Sequence, residues 1–170
     1  MHHILLSTPR LTIRPFILDD DVQVYPLNAD AEVMQHLPKD EVYASVDQAK
    51  FFLKRYLERT KDIPFAREAV IRKSDGAWLG WCGLKRLEDG AVDLGFRFHR
   101  EYWGNGYATE SGKAWLAYGF GEANLKRIIS NAASGNAGSQ RALEKLGFQR
   151  CPREDFSEDG FDWLRYEIMG

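Results

Sequence analysis

The sequence is poor in the residues that mark disulfide-bonded, metal-binding or membrane proteins. It has only two cysteines, Cys82 and Cys151, among its 170 residues, and their spacing matches neither a disulfide framework nor a metal-binding motif. We therefore expect free thiols in a reducing compartment, and no metal site. No apolar run approaches the roughly 20 residues that a bilayer-spanning helix requires. No Lys or Arg precedes the short apolar run at 4–6, so we expect no secretory signal and a cytoplasmic location.

The sequence also lacks an excess of charge of either sign. Its 23 Lys and Arg residues against 25 Asp and Glu residues leave a net charge of −2. This balance argues against a general attraction to nucleic acid or to an anionic membrane, and we expect neither as a partner. With 44% hydrophobic residues and no internal repeat, the chain is typical of a globular protein. Its length predicts one domain over residues 1–170.

The sequence does contain an ordered series of strand and helix patterns. Alternating apolar and polar residues bounded by turn residues predict strands at 10–15, 66–72, 78–87, 92–98, 127–133, 148–151 and 162–168. Capping residues and helical spacing predict helices that begin near 19, 45, 107 and 136. The strands from 66 to 98 are joined by short turns and form an antiparallel meander. The fold class is therefore α+β, with about six or seven strands and about four helices.

Two local details of these elements are specific enough to check. Ser45 and Gln48 have the spacing of a capping box at the start of a helix. Gly95 stands inside the strand 92–98, where a glycine indicates a bulge or a close backbone contact. Both predictions concern the geometry of single residues and are independent of the fold class.

A glycine-containing stretch, W-G-N-G-Y-A-T-E at 103–110, lies between the strand 92–98 and the following helix. Gly104 and Gly106 let the backbone turn tightly, and free N–H groups at the helix start favour a phosphate. Thr109 stands where a dinucleotide-binding loop has its third glycine. The loop also follows an antiparallel meander instead of an early βαβ unit, and it lacks the Gly-Lys-Ser/Thr of a P-loop. It therefore predicts a phosphate-bearing ligand other than a nicotinamide dinucleotide.

The sequence contains five characteristic segments, each once and in this order: T-P-R-L-x-I-R-P at 8–15, L-G-W-C-G-L at 79–84, D-L-G-F at 93–96, Y-W-G-N-G-Y-A-T-E at 102–110 and N-A-G-S-Q-R-A-L-E-K-L-G-F at 136–148. Together they resemble the GNAT-type N-acetyltransferases, and in particular the branch of the Rim-type ribosomal-protein N-terminal acetyltransferases. Each segment is weak alone, but their order and spacing are specific and cover nearly the whole chain. The resemblance implies a mixed, mostly antiparallel GNAT-like sheet, acetyl-CoA as cosubstrate and no metal.

The resemblance also implies where acetyl-CoA binds. The free backbone groups at the end of the strand before the loop would pair with the pantetheine arm, and one N–H there would polarise the thioester carbonyl; these residues are Phe96, Arg97 and Phe98. The loop and the start of the two following helices would hold the pyrophosphate and the thiol; these residues are Trp103, Gly104, Asn105, Gly106, Tyr107, Ala108, Thr109, Asn136 and Ser139. The alternative for the strand is a plain core strand.

One position departs from the family pattern. Glu101 stands where relatives have Gln or Arg, so we expect its side chain to face solvent and the loop to depend on its amides. The nearby cations Lys113, Arg141 and Lys145 are interpreted as solvated helix charges.

Two residues are candidates for catalysis. An amine must lose a proton before or during attack, and Asp93 is the candidate base, acting through a water. Its alternative role is a surface strand carboxylate. Ser139 is the candidate donor to the leaving thiol, and its alternative role is helix capping. Neither cysteine has an activating neighbour, so direct transfer in a ternary complex is favoured over a covalent intermediate.

The sequence thus predicts an acetyl-CoA-dependent N-acetyltransferase for a primary amine, which includes protein N-termini among its candidate acceptors. The alternative is a non-catalytic acyl-CoA-binding or regulatory module on the same fold. A small molecule or a peptide can supply the amine, and the sequence does not distinguish them. Trp163 and Tyr166 in the last strand are candidates for the face of a homodimer.

Overall fold

The computed structural model of the protein describes residues 6–170. Residues 1–5, which carry part of the short N-terminal apolar run, lie outside the described residues. Within 6–170 the chain forms one sheet of nine strands, which are β1 (Leu6–Ser7), β2 (Leu11–Arg14), β3 (Arg67–Arg72), β4 (Trp78–Arg86), β5 (Val92–Phe98), β6 (Arg127–Ala133), β7 (Gln149–Arg150), β8 (Phe156–Glu158) and β9 (Phe161–Met169). Its five α-helices are α1 (Asp21–Ala29), α2 (Ala31–Met34), α3 (Val46–Thr60), α4 (Tyr107–Phe120) and α5 (Ala137–Lys145).

The strand order is β1-β2-β3-β4-β5-β6-β9-β7, and β8 pairs with β9. Neighbouring strands are antiparallel except β5 and β6, which are parallel. This parallel pair needs a crossover connection, which α4 supplies. The predicted mixed, mostly antiparallel α+β sheet is therefore confirmed.

Side chains of each strand alternate between the two faces of the sheet. Apolar side chains are buried on both faces, and helices cover both of them. On one face, here called the α4 face, Leu94 and Phe98 of β5 pack with α4 and α5 in the larger buried cluster. On the other, the α3 face, Ala69 of β3 packs with α1 and α3 in a second cluster that includes Leu27 and Leu53. The even-numbered residues of β5 thus face α4, and the odd-numbered ones face α3.

The structure differs from the prediction in the number of elements. β1 and β8, which were not predicted, have two and three residues, too few to show an alternating pattern. The predicted strand 148–151 is reduced to the two residues of β7. The predicted first helix is divided, because Asp30 accepts hydrogen bonds from the N–H groups two and three residues ahead and begins α2 as its N-cap. The predicted capping box does not form: Ser45 precedes α3 without a side-chain cap, and the Gln48 side chain accepts from Ala44 N, one residue before the N-cap.

The close contact at Gly95 is with a side chain, whereas the prediction named a close backbone contact or a bulge. A Cβ atom at this position would lie 2.7 Å from the guanidinium of Arg67, so a larger residue would displace that guanidinium. The bulge lies elsewhere, in β4. Val70 and Ile71 of β3 pair with Gly80 and Trp78 of β4, which leaves the β4 residue between them without a pairing position.

The prediction of a dimer face from two exposed aromatic residues is wrong for one of them. Tyr166 is 1% exposed and belongs to the core, so it is buried within the chain and unavailable to a partner. Trp163 is half-buried and stacks on Phe156 with ring centroids 6.3 Å apart. Only Trp163 remains as a candidate, and the homodimer stays a prediction.

Candidate active site

The parallel strands β5 and β6 separate soon after they meet. They pair where Asp93 lies opposite Ile129, and the Ser130 hydroxyl donates to the Leu94 carbonyl at 2.7 Å. Both strands then continue by several residues without a further paired position. A gap therefore opens between them towards their carboxyl ends, lined by backbone groups that lack a strand partner.

Only alternate residues of β5 direct their backbone groups into this gap. In an antiparallel pair, residues that exchange backbone hydrogen bonds alternate with those that do not. The bonds from Leu87 N to Ala91 O and from His99 N to Leu79 O mark both ends of the β4–β5 ladder. They place the odd-numbered residues of β5 in the bonded positions. The N–H and C=O of Phe96 therefore point into the gap.

The three residues predicted to contact a pantetheine arm thus differ in their geometry. Within residues 6–170 the Phe96 backbone groups have no hydrogen-bond partner, whereas the Phe98 carbonyl accepts a hydrogen bond from Trp103 Nε1 at 2.9 Å. Arg97 pairs with Trp81 of β4, so its backbone faces away from the gap and does not fit the predicted contact. The opposite wall is β6, where the bond from Ser134 N to Asp162 O implies, by the same alternation, that odd-numbered residues face the gap.

The glycine loop lies at the open end of the gap, directly after β5. Gly104 and Gly106 have φ angles of 76° and 78°, the left-handed conformation that glycine adopts without strain. The Asn105 side chain holds the turn by donating to the carbonyls of Tyr102 and Trp103 at 3.0 and 3.1 Å. The turn ends at Gly106, the N-cap of α4, so the first N–H groups of this helix are available to an anion.

Thr8 and Arg10 of the N-terminal segment bind this loop and the start of α4, a contact that the sequence did not predict. Glu110 accepts hydrogen bonds from the Thr8 hydroxyl at 2.6 Å, Arg10 N at 2.9 Å and Arg10 Nε at 2.6 Å. Arg10 also donates to the Asn105 carbonyl at 2.9 Å and lies 4.6 Å from the centre of the Tyr107 ring. Burial raises the pKa of Glu110, but the bonds from Thr8 and Arg10 outweigh it and the pKa is lowered.

A second helix start lies at the same opening. Because β5 and β6 are parallel, their carboxyl ends lie at one edge of the sheet, and α5 begins just after β6 as α4 begins just after β5. The Asn136 side chain accepts from Ser139 N at 3.0 Å, which confirms the helix cap. The half-buried Ser139 hydroxyl has no hydrogen-bond partner within residues 6–170. His36 reaches this turn from the helical layer, with Cε1 3.1 Å from where a Cβ of Gly135 would lie.

The α3 face of β5 carries charged residues next to the gap. Asp93 is 6% exposed, and its Oδ2 pairs with Arg67 Nη2 at 2.5 Å. It is therefore a buried ion-pair partner and not a surface strand carboxylate. The Arg97 side chain also lies on this face and pairs with Glu41 at 2.6 Å. Sequence reasoning assigned no role to Arg67 or Glu41, because each comes from an element distant in sequence.

The remaining charged and potentially reactive side chains near the site are either exposed to solvent or buried in an unreactive form. Glu101 and the three helix cations are exposed, as expected; those cations are Lys113, Arg141 and Lys145. Burial lowers the pKa of His99, whose ring lies against Trp78. Both cysteines are buried and free, and burial raises the pKa of Cys82 to about 12. A thiol of that pKa is not a nucleophile at neutral pH.

The described residues contain one group of potential metal ligands, formed by Cys151, Glu154 and Glu167. Both carboxylates already bind Arg127, at 2.8 and 2.6 Å, so they are ion-pair partners. Among residues 6–170, none of the helices combines the length and the apolar character needed to cross a bilayer.

Comparisons with known proteins agree with this geometry. A family model described as an acetyltransferase (GNAT) domain matches residues 10–149. The uncharacterized N-acetyltransferase YnaD of Bacillus subtilis is 32% identical over 146 residues, which are 85% of this chain and 82% of that protein. A GNAT-family acetyltransferase structure from Bacillus anthracis has 26% identity and a TM-score of 0.83, with 98% of both chains covered. The ribosomal-protein-S5-alanine acetyltransferase of Vibrio fischeri has 18% identity and a TM-score of 0.77 over 98% of this chain and 96% of that one, which shows a shared fold alone.

Proposed function

The chain belongs to the GNAT acetyltransferase family, and from that membership we propose that it transfers an acetyl group from acetyl-CoA to a primary amine. The observation that carries the proposal is the gap between β5 and β6, with a helix start on each side of its open end. Ligands of sheets with parallel strands bind beyond the carboxyl ends of those strands. The attack is direct, within a ternary complex.

The residues at the gap fit acetyl-CoA in chemistry and order. The amides from Gly104 to Thr109 would hold the pyrophosphate, because helix starts favour phosphate. The backbone groups of Phe96 would pair with the pantetheine arm, which needs one donor and one acceptor at such an edge. Acetyl-CoA supplies the activated acyl group as a thioester. The Phe96 N–H would stabilise negative charge on the thioester oxygen, as an oxyanion-hole donor.

Two side chains serve the proton movements in this proposal. Asp93 accepts the proton of the attacking amine through a water, because its Oδ1 has no hydrogen-bond partner within residues 6–170 while Oδ2 is bound to Arg67. An α-amino group with a pKa of about 7.7–8.0 is already partly deprotonated near neutrality, so a single carboxylate suffices as the proton acceptor. Ser139 donates to the departing thiolate from the start of α5.

The alternative is a non-catalytic acyl-CoA-binding module on the same fold. The observation in its favour is the Arg67–Asp93 ion pair, which ties up the candidate base. A thiol-release assay with a panel of amines, run beside calorimetric titration with CoA, separates the two functions. We expect CoA binding together with CoA release on at least one amine. CoA binding without turnover on any amine would support the module and contradict the enzyme.

A further inference from the structure

Two guanidinium groups share one aromatic side chain on the α3 face. The Cζ atoms of Arg67 and Arg97 lie 5.1 and 5.2 Å from the centre of the Trp81 ring. Arg97 belongs to β5, and the Arg67 guanidinium lies against Gly95 of the same strand, 2.7 Å from where a Cβ would be. Stacking on an indole holds a guanidinium in a fixed plane, ready for a planar partner.

Each of these arginines is only partly satisfied. A guanidinium has five N–H donors, yet Arg67 contacts Asp93 and Arg97 contacts Glu41 through one Nη2 atom each. The Nε atoms of both arginines are buried and have no hydrogen-bond partner within residues 6–170. The Arg97 side chain is only 9% exposed. Buried polar groups in native proteins normally have partners, so these free donors indicate a ligand.

The two carboxylates differ in how firmly they are held. Asp93 is 9% exposed at its side chain and belongs to the strand β5. Glu41 is 46% exposed and ends a three-residue 3-10 helix at Lys39–Glu41. Burial lowers the pKa of Arg97 although Glu41 opposes it. Because Glu41 is the more exposed of the two carboxylates and belongs to a short 3-10 helix, it is the counter-ion that another carboxylate can replace.

Arg67 and Arg97 lie close to the groups that are proposed to take part in the acetyl transfer. Arg97 is the direct neighbour of Phe96, whose N–H faces the gap, and its side chain lies on the same face as Asp93. Tyr43, close enough to Arg97 for the guanidinium charge to act on its phenol, lines a groove of about 510 Å³ along α3 with Phe52 and Tyr56. The groove offers room for the body of an acceptor whose polar end reaches the arginines.

We propose that the acceptor carries a carboxylate besides its amine, as amino acids do, and that Arg97 binds this carboxylate with the help of Arg67. The inference rests on the proposed acetyl transfer. Glu41 occupies the carboxylate position in the free protein and gives way when the acceptor binds. A polyamine or a long peptide N-terminus lacks the carboxylate and is a poor acceptor.

The first test compares acceptors on the unchanged protein. Matched sets for glycine, leucine and phenylalanine contain the free amino acid, its amide and its decarboxylated amine; spermidine and short peptides are added. CoA release is measured at fixed acetyl-CoA. We expect kcat/KM for at least one amino acid to exceed that of its amide by about tenfold to a hundredfold, the size expected for hydrogen bonds to a charged group.

The second test changes the site. In Arg97→Gln the ratio of KM between amide and acid should fall towards one, and Arg97→Lys should lie between, because it keeps the charge and loses the planar fork. Glu41→Gln should lower KM for the amino acid, because the competing carboxylate is gone. If Glu41 instead bound the ammonium group, Glu41→Gln would raise KM for every amine. Arg86→Gln is the control for charge loss, since Arg86 is exposed and, among residues 6–170, its side chain donates only to the Gly90 carbonyl.

The outcomes separate the two proposals. Equal kcat/KM for acids, amides and peptides would overturn the carboxylate site and leave the acetyltransferase standing. CoA binding without release on any amine would overturn both. The acceptor comparison uses the unchanged protein, so it decides the inference even if Arg97→Gln fails to fold.

Discussion

Replacing Glu68 by Gln should stabilise the protein in alkaline buffer and have little effect in acid. Glu68 lies on β3 and is 8% exposed. Burial raises the pKa of its carboxyl to about 8, and the Phe16 N–H and the charge of Arg14 oppose this only in part. Arg14 is already engaged, because both of its Nη atoms bind Asp20 at 2.8 Å. Within the described part of the chain, Glu68 is thus a buried acid without an ion-pair partner of its own.

The sign and size of the effect follow from linkage. The folded protein holds the Glu68 proton up to a pKa of about 8, whereas a glutamate starts from 4.5. The stability associated with this proton is complete below the lower value and is lost as the pH rises through the upper one. At about 1.4 kcal/mol for each pKa unit, the shift sets an upper limit of roughly 5 kcal/mol. Arg14 and the remaining solvent contact reduce the expected loss to about 2–3 kcal/mol.

Urea unfolding of both proteins at about pH 5, 7 and 9 measures this difference. At about pH 5 the two proteins should have the same free energy of unfolding. At about pH 9 the free energy of unfolding of Glu68→Gln should be higher than that of the unchanged protein by about 2–3 kcal/mol. Glu88→Gln, in an exposed turn, is the control for general charge effects. A difference between the two proteins that stays constant with pH would refute the reasoning, because Glu68 would then titrate as an ordinary surface acid.

Three further predictions concern the site. Asp93→Asn should lower kcat and move the rising limb of the pH–rate profile to higher pH, because the amine must then lose its proton unaided; a limb that keeps its position would remove Asp93 as proton acceptor. Ser139→Ala should lower kcat more than it weakens calorimetric CoA binding, and the reverse would make Ser139 a binding residue only. Gly106→Ala, at φ 78°, should cost about 1–2 kcal/mol of unfolding free energy and weaken CoA binding. Gly90→Ala is its control: at φ 88° with open space around it, it should lose similar stability in thermal unfolding and keep its CoA affinity, so equal CoA loss in both variants would contradict a role for the loop.

Much of the fold could be predicted, because it depends on short-range patterns. The seven predicted strands and the helix starts near 45, 107 and 136 follow from alternation, spacing and capping, and the structure has them. The two strands that were missed, β1 and β8, have two and three residues and form only because a neighbouring strand offers its edge. The division of the first helix at Asp30 was missed for another reason. Its side chain can cap a new helix only where the chain has already bent.

The candidate site could be predicted only in part. The glycine loop, Asn136 and Ser139 lie in local motifs, so the sequence located them. The predicted use of the Arg97 backbone does not fit, because which backbone groups of β5 are free depends on the ladder with β4. The contact at Gly95 could be anticipated, but its partner Arg67 could not.

The sequence by itself therefore determined the glycine loop at the start of α4 and the family resemblance, since both depend on residues close together in the chain. Tertiary structure alone decided which charges meet. Arg10 reaches Glu110 across 100 residues, and Glu41 reaches Arg97 across 56. It also decided that β5 and β6 part after Asp93. Such pairings depend on the register and twist of strands from distant segments, and no local pattern encodes them.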